Sequence, residues 1–220
     1  MVFAAIHGPD GRDLTVFDLP FSWDPALDLK TIRAGYLKKA FNRDYPTKKN
    51  DEASLDVLRE LGVELIPFEL PENLPVDSLA FILNAEAAAA FDELTRSNRD
   101  DLLVRQGRNA WPNVFRQARF IPAVEYIQAN RIRTLLMEDM AKRMAGIDVY
   151  VAPSFGGSNL LLTNLTGHPA VVVPNGWNDK DSPTSLSFIG NLFEEAKALR
   201  LALAFQQATD FHLKHPPPQK

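Results

Sequence analysis

The sequence contains no cysteine. Without thiols the chain cannot build a disulfide scaffold, a cysteine nucleophile, an iron–sulfur cluster or a cysteine zinc site. Histidine is also scarce, with 4 residues in 220. His212 and His215 could share a helix face, but no third ligand lies near them in the sequence, and a protein zinc site needs further ligands. We therefore expect no metal and no other cofactor.

An excess of positive charge is missing as well. Lys and Arg number 24 against 28 Asp and Glu, which gives a net charge of −4 and a pI near 5.6. A chain of this charge offers no strong basic field for a nucleic acid. No apolar run approaches the roughly 20 residues of a membrane span, and residues 1–10 lack the basic start of a signal peptide. We expect a cytoplasmic chain that binds neither nucleic acid nor membrane.

The composition that remains is typical of a globular protein. Hydrophobic residues make up 45% and charged residues 24% of the chain. The length suffices to bury a core without stabilising disulfides or metals. Strand-like and helix-like segments alternate, and several strand-like segments are apolar on both faces. This pattern predicts an α/β fold with a mixed, largely parallel sheet flanked by helices.

The clearest local pattern is a strand, a helix and a second strand near the start of the chain. A β-branched and apolar run at 31–37 predicts a buried strand, a leucine stripe predicts a helix over about 52–61, and 63–68 predicts the next strand. Gly62 is typical of the position after a helix end. Such a βαβ unit makes its two strands parallel.

Helices and strands also follow one another through the rest of the chain. We expect helices over about 78–96, 122–145, 159–165 and 194–212, and strands over 148–153, 170–173 and 184–189. Residues 97–121 are polar and predict a loop with short helical pieces.

Sequence motifs that carry chemistry are few. The phosphate-binding, nucleophile-elbow and zinc-protease motifs are all missing. The glycine-rich loop at 154–158 follows a strand, where backbone N–H groups could face an anion, but a simple connection is the favoured interpretation. His168 stands between Gly and Pro, and a packed turn histidine is favoured over a catalytic base because no partner is visible.

Two longer stretches resemble a known family. They are residues 119–131 (RFIPAVEYIQANR) and the pair of segments 148–153 (DVYVAP) and 163–176 (TNLTGHPAVVVPNG). Together they resemble the C-terminal half of the amidase signature family, whose members include one component of the aminoacyl-tRNA amidotransferases. Residues 5–13 are similar to the segment just beyond that family's catalytic core, and 188–190 are similar to its closing strand. The resemblance implies the C-terminal part of the amidase signature fold over essentially the whole chain.

The departure from the family is as informative as the match. The family hydrolyses amides with a serine nucleophile, a second serine in a cis peptide and a lysine, which lie in and before a Gly/Ser-rich signature preceding the matched region. The chain contains no such signature, and Gly156–Ser158 imitates only a fragment of it. The resemblance therefore implies no catalytic residue here. It implies a weaker role in shaping the substrate pocket for Ser158, Asn159, Thr163 and Asn164.

These observations predict the C-terminal portion of an amidase-signature hydrolase, inactive alone, from a truncated chain or a protein made in two parts. Its expected partner is an N-terminal catalytic half, or a second copy. The alternatives are a non-enzymatic interaction module and a small-molecule-binding module that uses the loop at 156–164. We expect one partial domain over 1–220, with a connecting loop at 1–30, a βαβ unit at 31–68, a helical segment at 78–145, pocket-side strands and a terminal helix at 146–213, and a disordered tail at 214–220.

Overall fold

A computed structural model describes residues 2–155 and 157–215. The chain divides into two compact units. The sheet unit comprises Met1–Leu70 and Ala141–Lys220, and the helical unit comprises Pro71–Met140. Within the described part of the chain, no helix combines the length and the apolar character that crossing a membrane requires.

Helices and strands alternate along the described chain, as the sequence predicts. In chain order they are α1 (Val2–Ile6), β1 (Ala34–Leu37), α2 (Lys38–Phe41), α3 (Lys48–Glu60), β2 (Leu65–Phe68), α4 (Phe81–Ala90), α5 (Asp92–Arg96), α6 (Trp111–Ala118), α7 (Ala123–Met144), β3 (Val149–Pro153), α8 (Asn159–Thr166), β4 (Ala170–Trp177), β5 (Pro183–Gly190) and α9 (Glu195–Ala208). Short 3₁₀ helices lie at Leu29–Thr31, Val76–Ala80, Arg99–Leu102 and Phe211–Leu213.

The strands form one mixed five-stranded sheet in the order β2-β1-β3-β5-β4. β1 pairs in parallel with both β2 and β3, and β5 pairs antiparallel with both β3 and β4. The predicted parallel βαβ unit and the α/β class with a mixed sheet are confirmed. The last two strands are antiparallel because the chain returns directly from β4 to β5 through residues 178–182, without a crossover helix.

One face of the sheet is covered by α3 and α9. Alternate residues of the strands point to this face, as the two-residue period of a strand requires. Burying each leucine or phenylalanine there contributes roughly 1.5–3 kcal/mol. The main buried members of this core are Leu55, Leu58, Val149, Val151, Leu186, Phe188, Leu201 and Phe205.

The other face of the sheet is built around Tyr150, which is fully buried and stacks on Phe68 with ring centroids 4.8 Å apart. Gly35 lies between them, and a Cβ on it would come within 3.0 Å of Ile147 and of Phe68. A larger residue at this position of β1 would therefore force these neighbours to shift.

The helical unit holds a small core in which α4 packs against α6. Phe115 and Ala118 of α6 and Ala88 of α4 are buried there. The helix expected over 78–96 is interrupted at Phe91, whose φ of −104° and ψ of 25° end α4 before α5 begins. The Phe91 ring stacks on Phe115 at 5.2 Å. Packing of this ring thus outweighs the helix propensity of the alanine-rich sequence.

The terminal helix is shorter than its sequence pattern. It ends at Ala208, and Thr209 is extended while its hydroxyl donates to the carbonyl of Phe205. The expectation of a helix to residue 212 is wrong, because this side-chain bond offers the backbone an alternative to another helical turn. Most of the predicted tail, residues 216–220, lies outside the described residues.

Candidate functional site

The four residues expected to shape a substrate pocket all lie at or in α8. Asn159 is buried, and its Oδ1 accepts a hydrogen bond of 2.8 Å from the Tyr150 hydroxyl. Thr163 is also buried and donates to the carbonyl of Leu160 at 3.0 Å. These two side chains hold α8 against the sheet and close its own turn.

The other two candidates are more accessible. Asn164 is exposed, and its amide donates to the Leu160 carbonyl at 2.8 Å. Ser158 precedes α8 without capping it through its side chain. The structure therefore brings the four residues together at one short helix but buries only Asn159 and Thr163. Their role in a substrate pocket stays a prediction.

Burial fixes the protonation of two groups beside this helix. It raises the pKa of the Tyr150 phenol, so this hydroxyl stays a donor to Asn159. It lowers the pKa of His168, whose Nδ1 lies 2.7 Å from the Thr166 hydroxyl. His168 is thus a buried histidine of the turn after α8, which leaves it neutral and hydrogen-bonded within that turn.

Three serine hydroxyls meet where β3 ends. Ser154 Oγ and Ser187 Oγ are 2.9 Å apart, and Ser185 donates to Ser154 at 2.9 Å. These hydroxyls bond to one another, which supplies no base to activate any of them. The cluster therefore extends the polar lining at this end of the sheet without pairing a nucleophile with a base.

A crevice opens at the carboxyl ends of β1 and β3. The chain passes from β1 to β2 on one side and returns to β3 on the other, so the strand order reverses between β1 and β3. At such a point the connections leave to opposite faces and a crevice forms outside the strand ends. The crevice has a volume of about 310 Å³ and is lined by Ala40, Arg43, Asp44, Tyr45, Pro46, Thr47, Pro153, Phe155 and Gly157.

The wall of the crevice that carries Tyr45 and Thr47 is held by a buried polar network. The Thr47 hydroxyl donates to Asp51 at 3.2 Å, and the Asn175 amide donates to the same carboxylate at 2.6 Å. Burial raises the pKa of Asp51, against the opposing effect of these hydrogen bonds. Asn175 belongs to β4, so the network fastens the start of α3 to the far strand of the sheet.

Gly176 of β4 makes room for this network. Its φ is +149°, and a Cβ there would lie 2.7 Å from the Asn50 amide nitrogen. That amide donates to the Trp177 carbonyl and to the Thr184 hydroxyl, both at 3.0 Å. A side chain at position 176 would therefore displace the residue next to Asp51.

The opposite, amino end of β1 and β3 is closed by an ion cluster. The Arg33 guanidinium and backbone N–H both donate to Asp148, and Lys197 Nζ donates to it at 2.9 Å. Burial alone would raise the pKa of Asp148, but the hydrogen bonds from the two cations outweigh burial and hold the pKa well below 3.8. Asp148 therefore stays ionised and paired.

Sequence reasoning missed Arg43 and the ion cluster, although the glycine-rich loop at 154–158 that it singled out contributes Phe155 and Gly157 to the crevice. Arg33 and Asp148 are 115 residues apart, and no local sequence pattern predicts that they form a contact. Arg43 follows β1 by six residues, and a charged residue after a predicted parallel strand was the available signal. Among the described residues, no group of three or more His, Cys, Asp or Glu is placed to hold a metal ion.

Comparison with known proteins defines the chain's relationships. It matches no family profile. It is 26% identical to the A component of the Glutamyl-tRNA(Gln) amidotransferase of Thermosynechococcus vestitus, over 98% of this chain and 54% of the relative. The corresponding component of the Cupriavidus pinatubonensis enzyme is 36% identical over 41% of this chain and 22% of the relative.

Solved structures share the fold. A bacterial aryl acylamidase of the amidase signature enzymes superposes with a TM-score of 0.72 at 16% identity, over 90% of this chain and 47% of the enzyme. An amidase family protein from Bacillus anthracis also gives a TM-score of 0.72, at 17% identity, over 99% of this chain and 47% of that protein. The chain is a homologue of the amidase signature family.

The amidase signature resemblance seen in the sequence is thus confirmed, and so is the expectation that it concerns only part of the family's fold. The chain spans about half the length of the curated relatives it matches, 54% in the first case. A peptide amidase, solved with the competitive inhibitor chymostatin, superposes with a TM-score of 0.69 at 22% identity over 46% of its own chain. The crevice and α8 described above therefore belong to a partial amidase signature fold.

Proposed function

We propose that this chain forms one wall of the substrate pocket of an amidase-signature hydrolase. In this proposal the hydrolysis of an amide C–N bond depends on a serine and a lysine from the part of the fold that the chain does not match. The observation that carries the proposal is the alignment of 98% of this chain with only 54% of a full-length relative. The catalytic residues are then outside these 220 residues, whichever polypeptide bears them.

The chemistry of the sheet unit supports this division. Amide hydrolysis needs an activated hydroxyl, a proton relay to the leaving nitrogen and donors for the oxyanion. A lysine in such a relay must be neutral, which a carboxylate partner opposes. Lys197 pairs with Asp148 at 2.9 Å, and Lys48 lies 3.6 Å from Glu52. Burial would lower the pKa of Lys197, but its hydrogen bonds to Glu194 and Asp148 outweigh burial and raise that pKa, so Lys197 stays an ammonium ion.

The start of the chain supports a contact with a further polypeptide region. Many large apolar side chains of residues 2–23 are exposed to solvent. Single exposed apolar residues are normal on a protein surface, whereas a group of them marks an interaction surface. The side chain of Leu14 is 95% exposed. β4 lies at an edge of the sheet, and an edge strand favours pairing with another strand. The exposed apolar residues at the start are Val2, Phe3, Ile6, Leu14, Val16, Phe17, Leu19 and Trp23.

The partner that this surface would receive is the catalytic region of the amidase fold. A surface made of apolar side chains and a strand edge suits contact with another protein region better than binding of a small ligand. That region could belong to the same polypeptide or to a separate one. Self-association through the same surface is the competing occupant. Light scattering of the purified chain across concentrations separates the two, because a monomer at high concentration contradicts self-association.

The direct test asks whether the chain alone contains a reactive serine. The purified chain is incubated with p-nitroacetanilide and, separately, with a fluorophosphonate that phosphonylates activated serine hydroxyls. We expect neither release of nitroaniline above the buffer rate nor labelling. The aryl acylamidase that superposes on this chain serves as the positive control for both reactions, because p-nitroacetanilide is an aryl acylamide.

Labelling or turnover that disappears in a single Ser→Ala variant of this chain would overturn the proposal. Ser158→Ala and Ser154→Ala are the first variants to compare. The residue whose loss removes the signal would then be the nucleophile.

A non-enzymatic interaction module is the second candidate, and the exposed apolar residues at 2–23 favour it. It differs from the first in one outcome. Adding the catalytic region of the amidase fold to this chain restores amide hydrolysis only under the first proposal.

A further inference from the structure

The crevice at the carboxyl ends of β1 and β3 has a chemistry that the amidase resemblance did not predict. Two independent observations meet there: the strand order reverses between these strands, and a cavity of about 310 Å³ lies at their ends. Small-molecule sites in proteins start at roughly 300 Å³. The volume therefore suits a ligand of amino-acid size.

The crevice is lined by one cationic side chain, Arg43, and one anionic side chain, Asp44. Among the described residues, the structure gives the Arg43 guanidinium no hydrogen-bond or ion-pair partner. Only the backbone of Arg43 is engaged: its N–H donates to the Ala40 carbonyl at 3.4 Å, and its carbonyl accepts from Lys48 Nζ at 3.0 Å. Asp44 also lines the crevice but makes no ion pair with Arg43 in that part of the chain. A guanidinium with free donors in a concave site favours an anion, and its planar fork matches a carboxylate.

The backbone on the opposite side of the crevice admits this guanidinium. Gly157 has a φ of +71°, and a Cβ there would lie 3.2 Å from Arg43 Nη1. The glycine thus lets the cation approach the loop after β3. The start of α3, a helix of 13 residues, borders the same crevice at Thr47 and adds the positive end of its dipole.

Apart from Arg43, Asp44 and the hydroxyls of Tyr45 and Thr47, the lining of the crevice is apolar. Pro46, Pro153 and the ring of Phe155 line the crevice beside the cation. An inorganic anion would leave these surfaces uncovered, whereas an organic acid would bury them.

We propose that this crevice binds an organic monocarboxylate with an apolar body, and that Arg43 receives the carboxylate. The ligand's apolar part lies against Pro46, Pro153 and Phe155. The site is formed by this chain alone, so its occupancy does not depend on a catalytic region being present. It would give the proposed hydrolase a preference for amides that carry a carboxylate.

The test is a binding titration of the purified chain with N-acetyl-L-phenylalanine, followed in ¹H–¹⁵N spectra at Tyr45, Gly157 and the Arg43 side chain. We expect saturable shifts confined to the crevice. The neutral N-acetyl-L-phenylalaninamide, which differs at the carboxylate, is expected to bind at least about tenfold more weakly, because a hydrogen bond to a charged group is lost.

Two variants make the assignment specific. Arg43→Gln is expected to weaken binding of the carboxylate at least about tenfold. Arg59→Gln removes an arginine from the same segment, one already paired with Asp56 at 2.6 Å, and is expected to bind as the unaltered chain does. Near-ultraviolet circular dichroism checks that both variants keep the fold.

Three results would overturn the proposal. They are the absence of saturable binding, equal binding by Arg43→Gln, and binding of inorganic phosphate as tight as that of the carboxylate. None of them bears on where the catalytic serine lies, so the site can fail while the proposed function stands. The amide comparison needs no variant and decides the role of charge even if Arg43→Gln does not fold.

Discussion

The two ends of the paired strands β1 and β3 each carry an arginine, and the two arginines differ in their hydrogen-bond partners. At the amino end, Arg33 is bound to Asp148 through its guanidinium and its backbone. At the carboxyl end, Arg43 lines an open crevice and keeps its guanidinium donors free within the described chain. The same residue type thus closes one end of the sheet and leaves the other end able to bind.

The difference shows how one strand pair separates stability from recognition. A buried carboxylate with two cationic partners fixes the strand register at the amino end, where only 3% of Asp148 is exposed. At the carboxyl end, the hydrogen bond between Asn175 and Asp51 supports the crevice wall instead. This support does not involve Arg43, so its guanidinium stays available to a ligand. Sites built on supported elements keep their geometry before a ligand arrives.

The largest effect is expected from removing the anion at the amino end. Asp148→Ala takes away the acceptor of both cations and of the Arg33 backbone N–H, and should lower the free energy of unfolding by about 3 kcal/mol. Urea denaturation followed by circular dichroism measures it. Asp56→Ala, which breaks an exposed pair with Arg59, is the matched control and should change stability by less than about 0.5 kcal/mol. Equal losses of stability in the two variants would show that the pairing of Asp148 stabilises the fold no more than an exposed ion pair does.

A second, smaller effect is expected in the pH dependence. The folded pKa of Asp148 is depressed below 3.8, so its contribution to stability is complete above that value and is lost as the pH falls through and below it. In Asp148→Asn this contribution is absent at every pH. The stability difference between the two chains should therefore be greatest near neutral pH and shrink toward about pH 2, as read from denaturation midpoints. A constant difference would show that folding does not lower the pKa of Asp148.

The smallest expected change in stability concerns the two arginines themselves. Arg33→Gln should lower the denaturation midpoint, because it removes hydrogen bonds to Asp148, while Arg43→Gln should leave the midpoint unchanged. Removing a cation whose guanidinium has no partner among the described residues costs little stability. Both variants are measured by urea denaturation under the same conditions. If Arg43→Gln lowers the midpoint as much as Arg33→Gln, the crevice arginine is structural.

Much of the fold was predictable because it rests on local preferences. The leucine stripe of α3 places Leu55 and Leu58 in the core, and the strand–helix–strand pattern gives the parallel pairing of β1 with β2. Where packing competes with propensity, the prediction failed. Phe91 breaks an alanine-rich helix by stacking on Phe115, and Thr209 ends α9 early.

The candidate site was less predictable. The sequence led to the loop and turn at 158–164, and there the structure uses Asn159 and Thr163 for internal hydrogen bonds. Arg43 carried no motif. Its importance comes from Gly157, a residue far along the chain that only the fold brings near.

The sequence by itself determined the kinds of element, their order, the amidase signature resemblance and the lack of a Gly/Ser-rich signature. Those follow from periodicity, turn residues and identities that neighbours along the chain share. The tertiary structure alone decided that β1 lies beside β3, and so which arginine is neutralised and which faces a crevice. Such long-range neighbours are selected by the burial of the whole sheet, and no short segment contains that information.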